Sequence, residues 1–187
     1  MTLQEWIDGD FQETDSDYRI ADISIIKKNE EGFLKKGIEV LCDEIKPSSV
    51  LEFGFGKGWT ATAFQNYGVN VHVILEPNTE VYQMALDWKS NYTSDIEILN
   101  MFSWDYETDD TFDIVYDDRE PFTSECDSKH FTQMKKILPE NQCYGMNAGL
   151  IGETYCSGNS EGDYSLPFTY NGLNYKQGLT KGILWQQ

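Results

Sequence analysis

Residues 50–64 read VLEFGFGKGWTATAF. A short apolar run carrying one acid, Glu52, meets three glycines at alternate positions, Gly54, Gly56 and Gly58, and continues into residues that favour a helix. A strand that stops at a glycine-rich turn and restarts as a helix marks a nucleotide-handling junction of an open α/β sheet. Dinucleotide-binding turns require G-x-G-x-x-G, whose third glycine lets the helix pack close. Counting from Gly54, that third position holds Trp59, which argues against a nicotinamide dinucleotide. The pattern here is G-x-G-x-G preceded by Glu52, which suits a ligand that brings an amino-acid end, with an amine and a carboxylate, close to the backbone. Glu76, twenty residues after Gly56, ends the next apolar stretch, where a carboxylate can accept from both hydroxyls of a ribose. S-adenosylmethionine has these parts.

Outward from this junction the chain alternates. A helix is predicted over about 29–46, from Leu34, Ile38, Leu41 and Ile45 at three- and four-residue steps, ended by Pro47. The glycine turn leads into a second helix closed by Gly68, and VNVHVILEP (69–77) reads as a buried β-branched strand. Asn78 is placed to cap a third helix, with Val81, Met84, Ala85 and Trp88 on one face. DIEIL (95–99) and FDIVYDD (112–118) are further strands, and a last helix runs from about 124 to 138. Beyond it CYGMNAGL (143–150) reads as a central strand, and YSLPFTYNGLNY (164–175), divided by Asn171-Gly172, as an antiparallel hairpin. The expected fold is α/β: one domain over 1–187 with three layers, a Rossmann-like sheet, mostly parallel with an antiparallel C-terminal edge. Residues 48–138 form its cofactor-binding core, 142–187 its C-terminal strands, and the acidic N-terminal 1–28 either a loose arm or a lid.

Composition narrows the partners. With 40% hydrophobic residues in 187, the chain can bury one ordinary core. A formal net charge of −18 repels nucleic acid and anionic lipid and favours a cationic partner. The absence of a long apolar run and of a basic, apolar leader leads to the expectation of a cytoplasmic protein with no membrane partner. Four cysteines without a CxxC pair, and only two histidines, offer no metal-ligand spacing. His130 reads as a surface or packing residue, and the sequence does not settle an oligomeric state.

The segments VLEFGFGKG, HVILEPNTEVYQMALDW, FSWDYE and FDIVYDD, taken in order, resemble class I S-adenosylmethionine-dependent methyltransferases. Among these they look most like the guanidinoacetate N-methyltransferases and their arginine-methylating relatives, over roughly 50–138. Pro139-Glu140-Asn141 stands where those relatives have a Pro-Gly-Gly turn. The resemblance implies that Gly54, Phe55, Gly56 and Gly58 cradle the methionine end of the cofactor. It further implies that Glu76 and Pro77 hold the ribose, and that Phe102, Ser103 and Trp104 line the adenine. Glu52 and Asp117 would face an acceptor guanidinium as the catalytic carboxylates, close to the cofactor. From its residues alone, Glu52 equally fits a pairing with Lys57 or a backbone amide, and Asp117 and Asp118 a solvated turn. The implied activity is N-methylation of a small guanidino or cationic acceptor. The alternatives are methylation of protein arginine or of another small nucleophile, and binding of S-adenosylmethionine without turnover.

Overall fold

The computed structural model describes residues 2–119, 123–137, 143–150 and 164–181. Its centre is a seven-stranded sheet. The strands, in chain order, are β4 (Ser49–Phe53), β5 (Val71–Leu75), β6 (Asp95–Leu99), β7 (Ile114–Asp117), β8 (Cys143–Leu150), β9 (Tyr164–Tyr170) and β10 (Leu173–Lys181). They lie in the order β6-β5-β4-β7-β8-β10-β9. The first five run parallel, and β10 pairs antiparallel with both β8 and β9. The chain leaves β4 toward one edge and returns to pair β7 on its other side, so the sheet reverses direction between β4 and β7. Ligands of open α/β sheets bind beyond the carboxyl ends of the strands at such a point.

Period-two alternation along β4 divides the core. Val50 and Glu52 face helices α2 (Glu31–Ile45) and α3 (Trp59–Tyr67), while Leu51 and Phe53 face α5 (Ser124–Ile137). Helix α2 buries Leu34, Ile38 and Leu41, as its spacing predicts, and ends at Lys46 in a left-handed conformation before Pro47. Asn78 caps α4 (Thr79–Lys89), accepting from the Val81 amide at 2.9 Å. Asn171 and Gly172 both adopt positive φ at the β9–β10 turn, as the hairpin signal requires.

The N-terminal segment is structured throughout its described length. A helical turn, α1 (Leu3–Ile7), opens on a capping box between Thr2 and Glu5. A three-stranded antiparallel sheet follows, β1 (Phe11–Glu13), β2 (Asp17–Ile20) and β3 (Ile23–Lys27). The side-chain amide of Asn78 donates to the carbonyls of Trp6 at 2.7 Å and Gly9 at 2.8 Å. Glu80 accepts from the Phe11 amide at 2.7 Å. The start of α4 therefore pins this small sheet over the end of the large one.

Candidate active site

The glycine turn after β4 is fixed from both sides. The Gly54 amide donates to the Leu75 carbonyl at 2.9 Å, and the Phe55 amide to Glu76 Oε2 at the same distance. Glu76 Oε1 accepts from the Asn78 amide at 2.8 Å. Burial raises the Glu76 carboxyl above its ordinary value of 4.5, while amide bonds from Phe55, Asn78 and Gly56 oppose that shift. Each carboxylate oxygen has two lone pairs, so Glu76 retains acceptor capacity for hydroxyls entering from the cleft.

The three glycines all have positive φ, but for different reasons. A Cβ on Gly54 would come within 2.9 Å of the Asp118 carbonyl, and one on Gly58 within 2.5 Å of the Phe55 ring. One on Gly56 would meet nothing within 4 Å, because that residue borders open space. Gly56 is thus where a ligand can approach the backbone closely.

That space is an open cleft of about 890 Å³ counting its mouth. Gly54, Gly56, Glu76 and Pro77 form one wall, and Phe102, Ser103 and Trp104 another. The rings of Phe102 and Trp104 stack at 4.4 Å and 8°. Trp6, Ile20, Ile25 and Ile26 of the N-terminal segment cover it. The glycine turn also grips this cover, since Lys57 Nζ lies 5.6 Å from the Phe11 ring centre and 5.0 Å from that of Tyr18. Trp59 meets Tyr18 edge-on at 5.8 Å, which accounts for an indole where a dinucleotide turn needs glycine.

The remaining expected residues lie behind this wall. Glu52, expected to face the acceptor, does not line the cleft, because strand alternation turns it under α3, where it is fully buried. It accepts from the Thr60 hydroxyl and pairs with His72 Nε2 at 2.9 Å. Its partner is neither Lys57 nor a backbone amide. His72 in turn meets Gln65 at 3.1 Å, and Ser94 donates to Gln65. Thr60 Oγ1 also lies 3.4 Å from Asp118. Asp117 is 9% exposed and holds His130 Nε2 at 3.3 Å and Arg119 Nε at 3.4 Å, while Arg119 also donates to Asp127 at 2.8 Å. It is the next residue, Asp118, that reaches the cleft, with Arg119 and Glu30. Burial pushes the Tyr116 phenol well up, reinforced by Asp118, Glu52 and Asp117 around it. Phe55 and Gly58 support the turn from below, with the Phe55 ring 5.4 Å from that of Trp88.

His130 is fully buried in α5, with Nδ1 2.7 Å from Ser103 Oγ, rather than at the surface. Of the two readings of His130, surface or packing, burial agrees with packing, whereas Glu30 and Arg119 carried no signal in the sequence, because each depends on a contact between distant segments. The Thr2-x-x-Glu5 capping box was a local signal of α1. Among the described residues no group of three or more His, Cys, Asp or Glu could hold a metal ion, and no helix is long and apolar enough to cross a membrane.

A parallel sheet that reverses beside a glycine turn, a buried acid after the next strand and an aromatic wall after the third define a class I S-adenosylmethionine-dependent methyltransferase. Solved structures share the fold. The 1,6-didemethyltoxoflavin-N1-methyltransferase of Burkholderia thailandensis, with bound 1,6-didemethyltoxoflavin and S-adenosylhomocysteine, is 11% identical with a TM-score of 0.59, over 82% of this chain and 80% of that one. The N-methyltransferase NodS of Bradyrhizobium japonicum is 8% identical with a TM-score of 0.58, over 82% and 96%. Its complex with S-adenosylhomocysteine gives 10% identity and a TM-score of 0.53, over 79% and 86%. Among curated proteins none matches the chain. Residues 3–175 match the profile of the guanidinoacetate N-methyltransferase family, and the chain belongs to it. It is a methyltransferase whose cofactor is S-adenosylmethionine, and the cleft residues fit that group: the open approach at Gly56, the carboxylate of Glu76 and the stacked rings beside Ser103.

Proposed function

We propose that the protein methylates a nitrogen of a small guanidino or other cationic acceptor. The observation that carries this reading is that two acidic residues, Glu30 and Asp118, line the same cleft as Glu76. A planar guanidinium is matched by carboxylates through paired hydrogen bonds, and holding one nitrogen in line supplies most of the acceleration. S-adenosylmethionine supplies the activated methyl group when bound. We assign the proton released by the methylated nitrogen to the aspartate pair at the end of β7. Asp118 and Arg119 border the cleft, Asp117 stands behind them beside His130 and paired with Arg119, and Glu52 reaches Asp118 through Thr60. The cover formed by Trp6 and the isoleucines of β2 and β3 favours a small acceptor over a protein side chain. The expectation that Phe55 and Gly58 touch the cofactor becomes, in this arrangement, a role in shaping the turn.

The test is single-turnover methyl transfer from labelled cofactor to guanidinoacetate, simple amines and arginine peptides. Transfer to a small guanidino compound is expected. Asp117→Asn or Asp118→Asn, whichever residue takes the proton, should lower the rate by about 10²–10⁴-fold, the contribution of a lost general base. Transfer only to neutral hydroxyls or thiols, or full activity in both variants, would refute the acceptor assignment.

A further inference from the structure

The string Ser103–His130–Asp117 joins the aromatic wall of the cleft to the end of β7. Ser103 Oγ lies 2.7 Å from Nδ1 of His130, and Asp117 Oδ2 lies 3.3 Å from Nε2. The imidazole has little freedom to turn. It is wholly buried and meets the Phe53 ring edge-on at 5.4 Å, and Gln133, one turn along α5, donates to the Tyr106 carbonyl just beyond Ser103–Asp105.

The polarity of this string follows from its members. The Asp117 carboxylate carries no hydrogen, and at 3.3 Å its charge favours the tautomer with the proton on the ring nitrogen that faces it. In the neutral ring the other nitrogen, Nδ1, is then an acceptor, and the Ser103 hydroxyl must donate to it. A serine whose only hydrogen is spent on His130 presents lone pairs alone to the cleft that it lines. We propose that His130 is a positioning residue for base recognition: it makes Ser103 an obligate acceptor, which suits the 6-amino group of adenine and opposes a 6-oxo purine. This inference rests on the assignment of the aromatic wall to the adenine of the cofactor. A 6-oxo group facing Ser103 would set acceptor against acceptor, and a site built to hydrogen-bond a donor rejects the analogue that lacks it.

The test compares S-adenosylhomocysteine with its 6-oxo analogue, S-inosylhomocysteine, by titration calorimetry. The parent should bind the adenosyl compound roughly 10- to 100-fold more tightly, the effect of one buried polar mismatch. Ser103→Ala and His130→Leu should each bring the ratio close to one, chiefly by improving relative binding of the inosyl compound. With only two histidines in the chain, ¹⁵N spectra of labelled parent protein resolve the tautomer. A proton on Nε2 and none on Nδ1 of His130 is expected in the complex. Should His130→Leu fail to fold, Ser103→Ala and the spectrum of the parent decide. Equal affinities in the parent, an undiminished ratio in Ser103→Ala, or a proton on Nδ1 would overturn the inference while the cofactor reading stands. Binding of neither compound would overturn both.

Discussion

Gly56 and Gly58 share a positive φ, yet an added methyl group would meet open cleft at one and the Phe55 ring at the other. Two outcomes are therefore expected to separate. Gly56→Ala should lose about 1–2 kcal/mol of stability from its left-handed backbone and weaken S-adenosylhomocysteine binding by about tenfold or more, as one displaced hydrogen bond would. Gly58→Ala should mainly destabilise, by about 1–3 kcal/mol from overpacking in addition to backbone strain. Urea melts and calorimetry on both variants check this, and unchanged affinity in Gly56→Ala would show that no ligand approaches there. Glu76 gives a pH signature. Because burial raises its folded-state pKa above 4.5, its contribution to the stability of the ligand-free protein is fully present below that value and is lost as pH rises through the folded pKa. Binding should run the opposite way, since the ionised carboxylate is the better acceptor for ribose hydroxyls. Affinity should rise with pH through the folded pKa and then level off, and Glu76→Gln should flatten the profile. An identical profile in that variant would remove Glu76 from the ribose site.

At the scale of elements, Asn78 ties the start of α4 to the N-terminal segment through a single side chain. Its Oδ1 caps α4, and its Nδ2 holds the carbonyls of Trp6 and Gly9. Asn78→Ala should cost about 0.5–2 kcal/mol for the cap and also release the N-terminal cover. Limited proteolysis should then cut within residues 1–28 faster than in the parent, with S-adenosylhomocysteine restoring part of the protection. Equal cleavage in parent and variant would mean that the cover is held by its apolar contacts alone. The strands and helices of the large sheet were legible because each carries its own period: Leu34, Ile38 and Leu41 at helical steps, the β-branched run of β5, and Asn171-Gly172 at the hairpin. The N-terminal sheet was not, since its strands are only partly apolar and carry no clear alternation. Such strands are marginal until they pack on something else. In the site, the glycine turn and Glu76 are local in sequence and were readable, whereas Glu30, Asp118 and His130 acquire meaning only through partners brought together by the fold.

Across the whole molecule, a net charge of −18 sets a field that no single ion pair offsets. Exposed pairs such as Lys28–Glu13 and Lys129–Glu125 neutralise it only locally. Raising the salt from about 0.01 M to 0.15 M shortens the screening length from roughly 30 Å to 8 Å. The melting temperature should rise by about 2–4 °C, the equivalent of about 1 kcal/mol for a chain of this size. A fall in melting temperature over that range would mean that attractive pairs outweigh the net repulsion. The buried pairing of Glu52 with His72 also bears on how the chain finds this fold. In the native alignment Glu52 lies opposite Ile74 and His72 opposite Val50. A slip of two residues that set Val50 opposite Ile74 would keep every apolar face correct while carrying His72 roughly 6–7 Å farther from Glu52 along the sheet. Glu52 would be left buried without its imidazole, at a cost of about 3–5 kcal/mol. The pair thus proofreads strand alignment, penalising a near-miss that oily surfaces alone would accept.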